Sequence, residues 1–123
     1  METNAKKVLE SLPSFDDLLK TVDEIKELSI KKMKMDATIK ELESVTFKEV
    51  MSNPKYLVNG KQPAVSYYEN AYKHTGIDND LLSYRNDYSE VVSELDAKKA
   101  QYDLYRQMHD FWKTLVYLEK SGY

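Results

Sequence analysis

Apolar residues recur every three or four positions along most of the chain, and that spacing predicts an all-α fold. Val8, Leu9 and Leu12 share one face of a short amphipathic helix over residues 3–12, which Pro13 ends. Ser14 follows, with Asp17 three residues on. The hydroxyl can cap a new helix while acidic side chains sit at its positive end. From Leu18 the pattern is a heptad: Leu18, Ile25 and Ile39 at one seam position, Leu28, Met35 and Leu42 at the other, with Lys32 in a slot where an apolar residue is expected. Val45, Phe47, Val50 and Met51 extend the helix to Ser52. A continuous helix over 14–52 would be about 57 Å long, since each residue rises about 1.5 Å.

A second long helix is predicted over 78–120, where Asp78 or Asn79 can cap the start and Ser121-Gly122 ends the run. Its seam reads Leu81, Tyr84, Tyr88, Val91, Leu95, Lys98, Tyr102, Tyr105, His109, Trp112 and Val116. Beyond Tyr102 a further apolar row appears, made of Leu104, Met108, Phe111, Leu115 and Leu118. This half needs more than one partner.

Between the long helices lies a connector, residues 53–76. Pro54 disfavours helical geometry at Asn53. Asn59-Gly60, after Tyr56, Leu57 and Val58, suits a tight hairpin turn. Pro63 can open a short helix in which Val65, Tyr68 and Tyr72 share a face, and Gly76 can close it with a left-handed cap. The connector is therefore expected to be ordered.

Two long helices joined this way can fold back as an antiparallel, coiled-coil-like hairpin within a single domain of 123 residues. The register that best aligns the heptads sets Ile39 against Val91, Met35 against Leu95, Leu28 against Tyr102 and Ile25 against Tyr105. It also sets Lys32 against Lys98. Burying two unpaired ammonium groups is costly, so their heads must reach carboxylates such as Asp36 or Glu94, meet an anion, or belong to another register. Lysine stems commonly cover apolar seams in this way. A two-helix hairpin cannot cover the doubled apolar face near its carboxy terminus, so a homo-oligomeric bundle is expected through Leu104, Met108, Phe111, Trp112, Leu115 and Leu118. Pairing between chains would bury the same seams.

Composition sharpens this picture. Charged residues reach 32% with only three glycines and three prolines, which suits long solvent-flanked helices. Cysteine is absent, which excludes disulfides and thiolate metal sites. No apolar run approaches the roughly 20 residues of a membrane span. A cytoplasmic, non-membrane protein is the expectation. The net charge of −3 argues against attraction of nucleic acid over the whole surface, though not against a local basic patch.

Little in the chain points to catalysis. His74 and His109 are the only histidines and neither has metal-site or nucleophile spacing; His109 falls on a seam and reads as a packing residue. No glycine loop cradles a phosphate. The expectation is a non-enzyme with no cofactor, metal or small-molecule substrate. The connector is different, because Lys55, Lys61 and Lys73 accompany Tyr56, Tyr67, Tyr68 and Tyr72 with Glu69 the only acid among them. Lysines that neutralise phosphates, interleaved with rings on which bases stack, are what sequence-tolerant single-strand binding requires. The nucleic-acid candidates are Lys55, Tyr56, Lys61, Tyr67, Tyr72 and Lys73. The plainer reading packs Tyr68 and Tyr72 onto the bundle. Lys26, Lys31, Lys32 and Lys34 form a second basic cluster, but Glu24, Glu27 and Asp36 make it a mixed-charge face.

The order of parts, a lysine-dotted first helix, an aromatic connector, and a last helix ending in Trp112, Leu115, Leu118 and Lys120-Ser121-Gly122-Tyr123, resembles the recombination-mediator proteins of tailed phages. The resemblance covers residues 30–123. It implies an oligomeric accessory of phage or mobile-element DNA recombination or replication, with single-stranded DNA and a recombinase as partners. The alternative from the residues alone is a structural or adaptor coiled coil, such as a virion component, a chaperone-like holder or an inhibitor, that binds another protein.

Overall fold

A computed structural model describes residues 3–122; Tyr123 of the terminal motif lies outside them. The described residues form an all-α bundle of four α-helices: α1 (Asn4–Ser11), α2 (Phe15–Ser52), α3 (Val65–Ala71) and α4 (Asp80–Lys120). The two long helices supply most of the packing. Contacts divide the described chain into two units, residues 30–93 and residues 3–29 with 94–122.

The start of α2 follows the sequence logic closely. The Ser14 hydroxyl accepts the Asp17 amide at 3.1 Å, and the Asp17 carboxylate accepts the Ser14 amide at 3.1 Å. This reciprocal box satisfies two amides that the helix itself cannot pair. Upstream, the Thr3 hydroxyl accepts the Lys6 amide and so caps α1.

The unit of residues 30–93 holds the connector between the end of α2 and the start of α4. Val50 and Leu81 are fully buried, joined in the core by Ile39, Tyr68 and Val91. The Tyr68 ring meets Phe47 edge-on at 5.0 Å between centroids, and its hydroxyl donates to the Glu43 carbonyl at 3.3 Å. An ion pair between Arg85 of α4 and Glu43 of α2 ties the helices together beside it.

In the unit built from residues 3–29 and 94–122, α1, the first part of α2 and the last part of α4 pack as three helices. Ala5 is buried, and its amide donates to Glu119 Oε1 at 3.1 Å, pinning the start of α1 to the end of α4. Lys98 forms an ion pair with Glu24. Lys98, expected opposite Lys32 with its head reaching a carboxylate such as Asp36 or Glu94, finds Glu24 of α2 instead, and the Glu94 carboxylate one turn back on α4 also favours the charged lysine. The reason is electrostatic, since the Lys98 seam slot is tolerable only where a carboxylate meets it. His109 is exposed, not packed in a seam as expected; its ring stands 5.7 Å from that of Trp112.

Candidate nucleic-acid interface

The connector is ordered by local chemistry. The Asn53 side chain accepts the Lys55 amide at 3.0 Å and caps a single 3₁₀ turn at Pro54–Tyr56. Asn59 and Gly60 take φ of 51° and 77°, so a two-residue turn joins Val58 to Lys61 through a reciprocal pair of backbone bonds. That turn needs positive φ at both centres, which Asn-Gly supplies. The expected hairpin is one isolated bridge with no flanking ladder. Gln62 then donates to the Met51 carbonyl at 2.9 Å, tying the hairpin back to α2.

Two expectations for the connector are corrected. The short helix opens at Val65, with Pro63 buried ahead of it, and Val65 stays exposed, so only Tyr68 and Tyr72 pack inward. Asp78 and Asn79 both adopt left-handed backbone, φ 56° and 61°, so neither occupies an extended capping conformation. The first amides of α4 are met instead by the Asp80 carboxylate, which accepts from Leu81 at 2.7 Å, and by the Thr75 carbonyl, which accepts from Leu82 at 3.0 Å.

Of the six candidate residues, four form one cluster. The Tyr72 ring lies 5.7 Å from Tyr56 and 6.3 Å from Tyr67, both edge-to-face, and Lys55 Nζ sits 5.6 Å above the Tyr56 ring. Such geometry lets ring edges meet ring faces and places a cation on a negative face. Tyr56 and Tyr72 are half-buried, whereas Tyr67 is 46% exposed. Tyr72 therefore backs the exposed Tyr67 ring and is itself packed against Tyr56. Burial raises the pKa of the Tyr72 hydroxyl above its ordinary value, and Tyr67 and Tyr56 add to the shift, so the phenol stays neutral and places no charge against a phosphate. Lys61 and Lys73 are exposed, on the hairpin and after α3, and neither joins the ring cluster.

The sequence reading missed Arg85. Its guanidinium donates to the His74 carbonyl at 3.1 Å while pairing with Glu43, so one side chain holds the end of the connector against α2 and α4. As the only cation on its stretch of α4 in a half-buried position, it could have been singled out, because a buried cation needs a partner.

At the other unit, the predicted interface row splits. Leu104, Phe111 and Leu118 are exposed, while Met108, Trp112 and Leu115 are half-buried. A groove of about 440 Å³ lies elsewhere on the same unit, between Phe15, Leu19 and Val22 of α2 and Tyr102, Tyr105 and His109 of α4. Phe15 is 73% exposed. Its spacing with Leu19 and Val22 flanks the heptad seam and could have been read as a second stripe.

Among the described residues, no group of three His, Asp or Glu side chains is placed to hold a metal, and no helix is long and apolar enough to cross a membrane. Comparison with known protein families, with characterised proteins and with solved structures finds no match.

Proposed function

We propose that this chain is a non-catalytic, self-associating accessory protein whose connector holds single-stranded nucleic acid. The observation that carries the reading is the exposed Tyr67 ring, backed by Tyr72, in a cluster whose other ring, Tyr56, carries Lys55 over its face. A base can stack on such a ring while Lys55, Lys61 and Lys73 neutralise neighbouring phosphates. In this reading the helices pair in a coiled-coil-like manner and several copies of one weak patch act together on one strand. A role in phage or mobile-element recombination or replication, with a recombinase as partner, rests on the resemblance in layout.

Fluorescence anisotropy of labelled single-stranded DNA across a salt series tests this. Wild-type binding should weaken steeply with salt, and the Lys55→Ala/Lys61→Ala/Lys73→Ala variant should lose at least about tenfold in affinity at low salt. Absence of binding at low salt would refute it.

A second reading, an adaptor that binds another protein, is favoured by one observation. Leu104 and Phe111 are 53% and 56% exposed on one face of α4, which is apolar surface of the kind that marks protein contacts.

A further inference from the structure

An asparagine loses its side-chain amide spontaneously only where the backbone nitrogen of the next residue is free and uncrowded enough to reach the side-chain carbonyl carbon. Most asparagines of this chain fail that requirement. Asn53 precedes Pro54, which has no amide hydrogen. Asn70 and Asn86 lie within α3 and α4, where the next amide is held in the helix. The amide after Asn4 donates to Glu119, and the amide after Asn79 donates to the Ile77 carbonyl. Asn59 is the exception. It and Gly60 are both exposed, and the two backbone bonds that close their turn run between Val58 and Lys61, so neither uses the Gly60 amide. Nothing lies within 4 Å of the place where a Gly60 Cβ would stand, which leaves the nitrogen open to base and water.

We propose that Asn59 is a self-modification site, converted one way to aspartyl and isoaspartyl forms by the Gly60 nitrogen. That nitrogen, losing its proton to base, attacks Asn59 Cγ. A bond forms between them, the bond from Cγ to Nδ2 breaks, and ammonia leaves with the proton it needs from solvent. Water then opens the five-membered imide at either carbonyl. Opening at Cγ gives an aspartyl residue, and opening at the backbone carbonyl gives an isoaspartyl residue whose main chain runs through the former side chain. The sum is one water consumed and one ammonia released, with no oxidant or reductant. The turn must move to bring the two atoms together, and a single bridge with no flanking ladder opposes that motion little. Either product sets a new carboxylate two residues from Lys61, in a connector where Glu69 otherwise stands alone against Lys55, Lys61 and Lys73. The isoaspartyl form also lengthens the backbone of a turn that depends on two residues at positive φ. The modified connector is therefore less basic and less ordered.

Peptide mapping by mass spectrometry of the folded full chain, sampled while it is held at mildly alkaline pH, tests this. Asn59 should convert at least about tenfold faster than Asn70 or Asn86, since opening a lone turn costs less than opening a helix. Aspartyl and isoaspartyl products should both appear, because either side of the ring can open. Gly60→Ala should slow the conversion at least about tenfold by crowding the attacking nitrogen. That variant also strains the turn, which alone would speed the reaction, so a slower rate reports on the nitrogen itself. Conversion at Asn59 no faster than at Asn70, an aspartyl product alone, or an unchanged rate in Gly60→Ala would overturn the proposal. The effect on strand binding rests on the connector reading above, and anisotropy with labelled single-stranded DNA separates the two. Converted protein should bind at least about threefold more weakly than fresh protein at low salt, one added charge offsetting one lysine. Equal affinity would overturn that effect, whereas fresh protein that binds no strand would count against the connector reading and not against the modification.

Discussion

Gly60 and Gly76 both sit in the connector at positive φ, 77° and 73°, yet they answer to different forces. Gly60 lies in a solvent-facing turn where an added Cβ meets nothing within 4 Å. Gly76 pairs its positive φ with a ψ of −165°, a region open almost only to glycine, and an added Cβ there would overlap the Asp80 carboxylate and come within 2.9 Å of Leu81. Asp80 cannot simply move, because it accepts the Leu81 amide at the start of α4. Gly60→Ala should therefore cost about 1 kcal/mol of stability from backbone strain alone. Gly76→Ala should cost about 3 kcal/mol, strain and overlap together. Urea denaturation of the two variants checks this, and equal losses would contradict it. The identity of the turn at Asn59-Gly60 was legible in the sequence because only its local chemistry matters. The role of Gly76 was not, since its cost comes from a side chain four residues away across a change of helix.

At the scale of elements, α2 was legible from its cap and its apolar spacing, whereas α4 was legible from spacing alone, since the expected cap at Asp78 or Asn79 is not the one formed. Ser14 and Asp17 predict the start of α2 because a capping box is local. Register was not legible to better than about a heptad, because a repeating seam fits itself again one repeat along. Single charged residues then choose partners that the repeat alone does not name: Arg85 finds Glu43 and Lys98 finds Glu24. The Lys98 ion pair leaves a pH signature. Its hydrogen bond to Lys98 holds the Glu24 carboxyl below the model-peptide value of 4.5, and the reciprocal bond raises Lys98 above 10.5. A lowered carboxyl pKa stabilises the fold above the unfolded value and is lost as pH falls through the folded one. A raised lysine stabilises below its unfolded value and is lost as pH rises through the folded one. The pair thus supports the fold between these limits. Lys98→Gln should flatten the loss of stability on acidification below about pH 4.5, as followed by thermal melts across pH; since both side chains are partly exposed, the effect at neutral pH should be small. An unchanged acid limb would show that the pair is not formed.

At the scale of the molecule, the interior is thin. The described core holds few fully buried side chains, Leu81 and Val50 the largest of them, while Phe15, Leu104 and Phe111 remain open. Apolar surface left open in this way is of the kind that another chain can cover. Sequence reading found the outer row of α4 because it doubles an obvious stripe. It missed the groove because a groove is a property of two helices laid side by side. The candidate connector site was legible as a composition of lysine and tyrosine. Which ring would face solvent was not, because that depends on Tyr72 packing between Tyr56 and Tyr67.

The central claim is that self-association turns one weak connector patch into a multivalent binder, and strand length tests it most directly. Anisotropy titrations should compare a labelled oligo-thymidine of about 10 nucleotides, enough for one site, with one of about 60, enough for several. The longer strand should bind at least about tenfold more tightly than the shorter one, with both losing affinity as salt rises. Equal affinity for the two lengths, or no binding to either, would contradict the account.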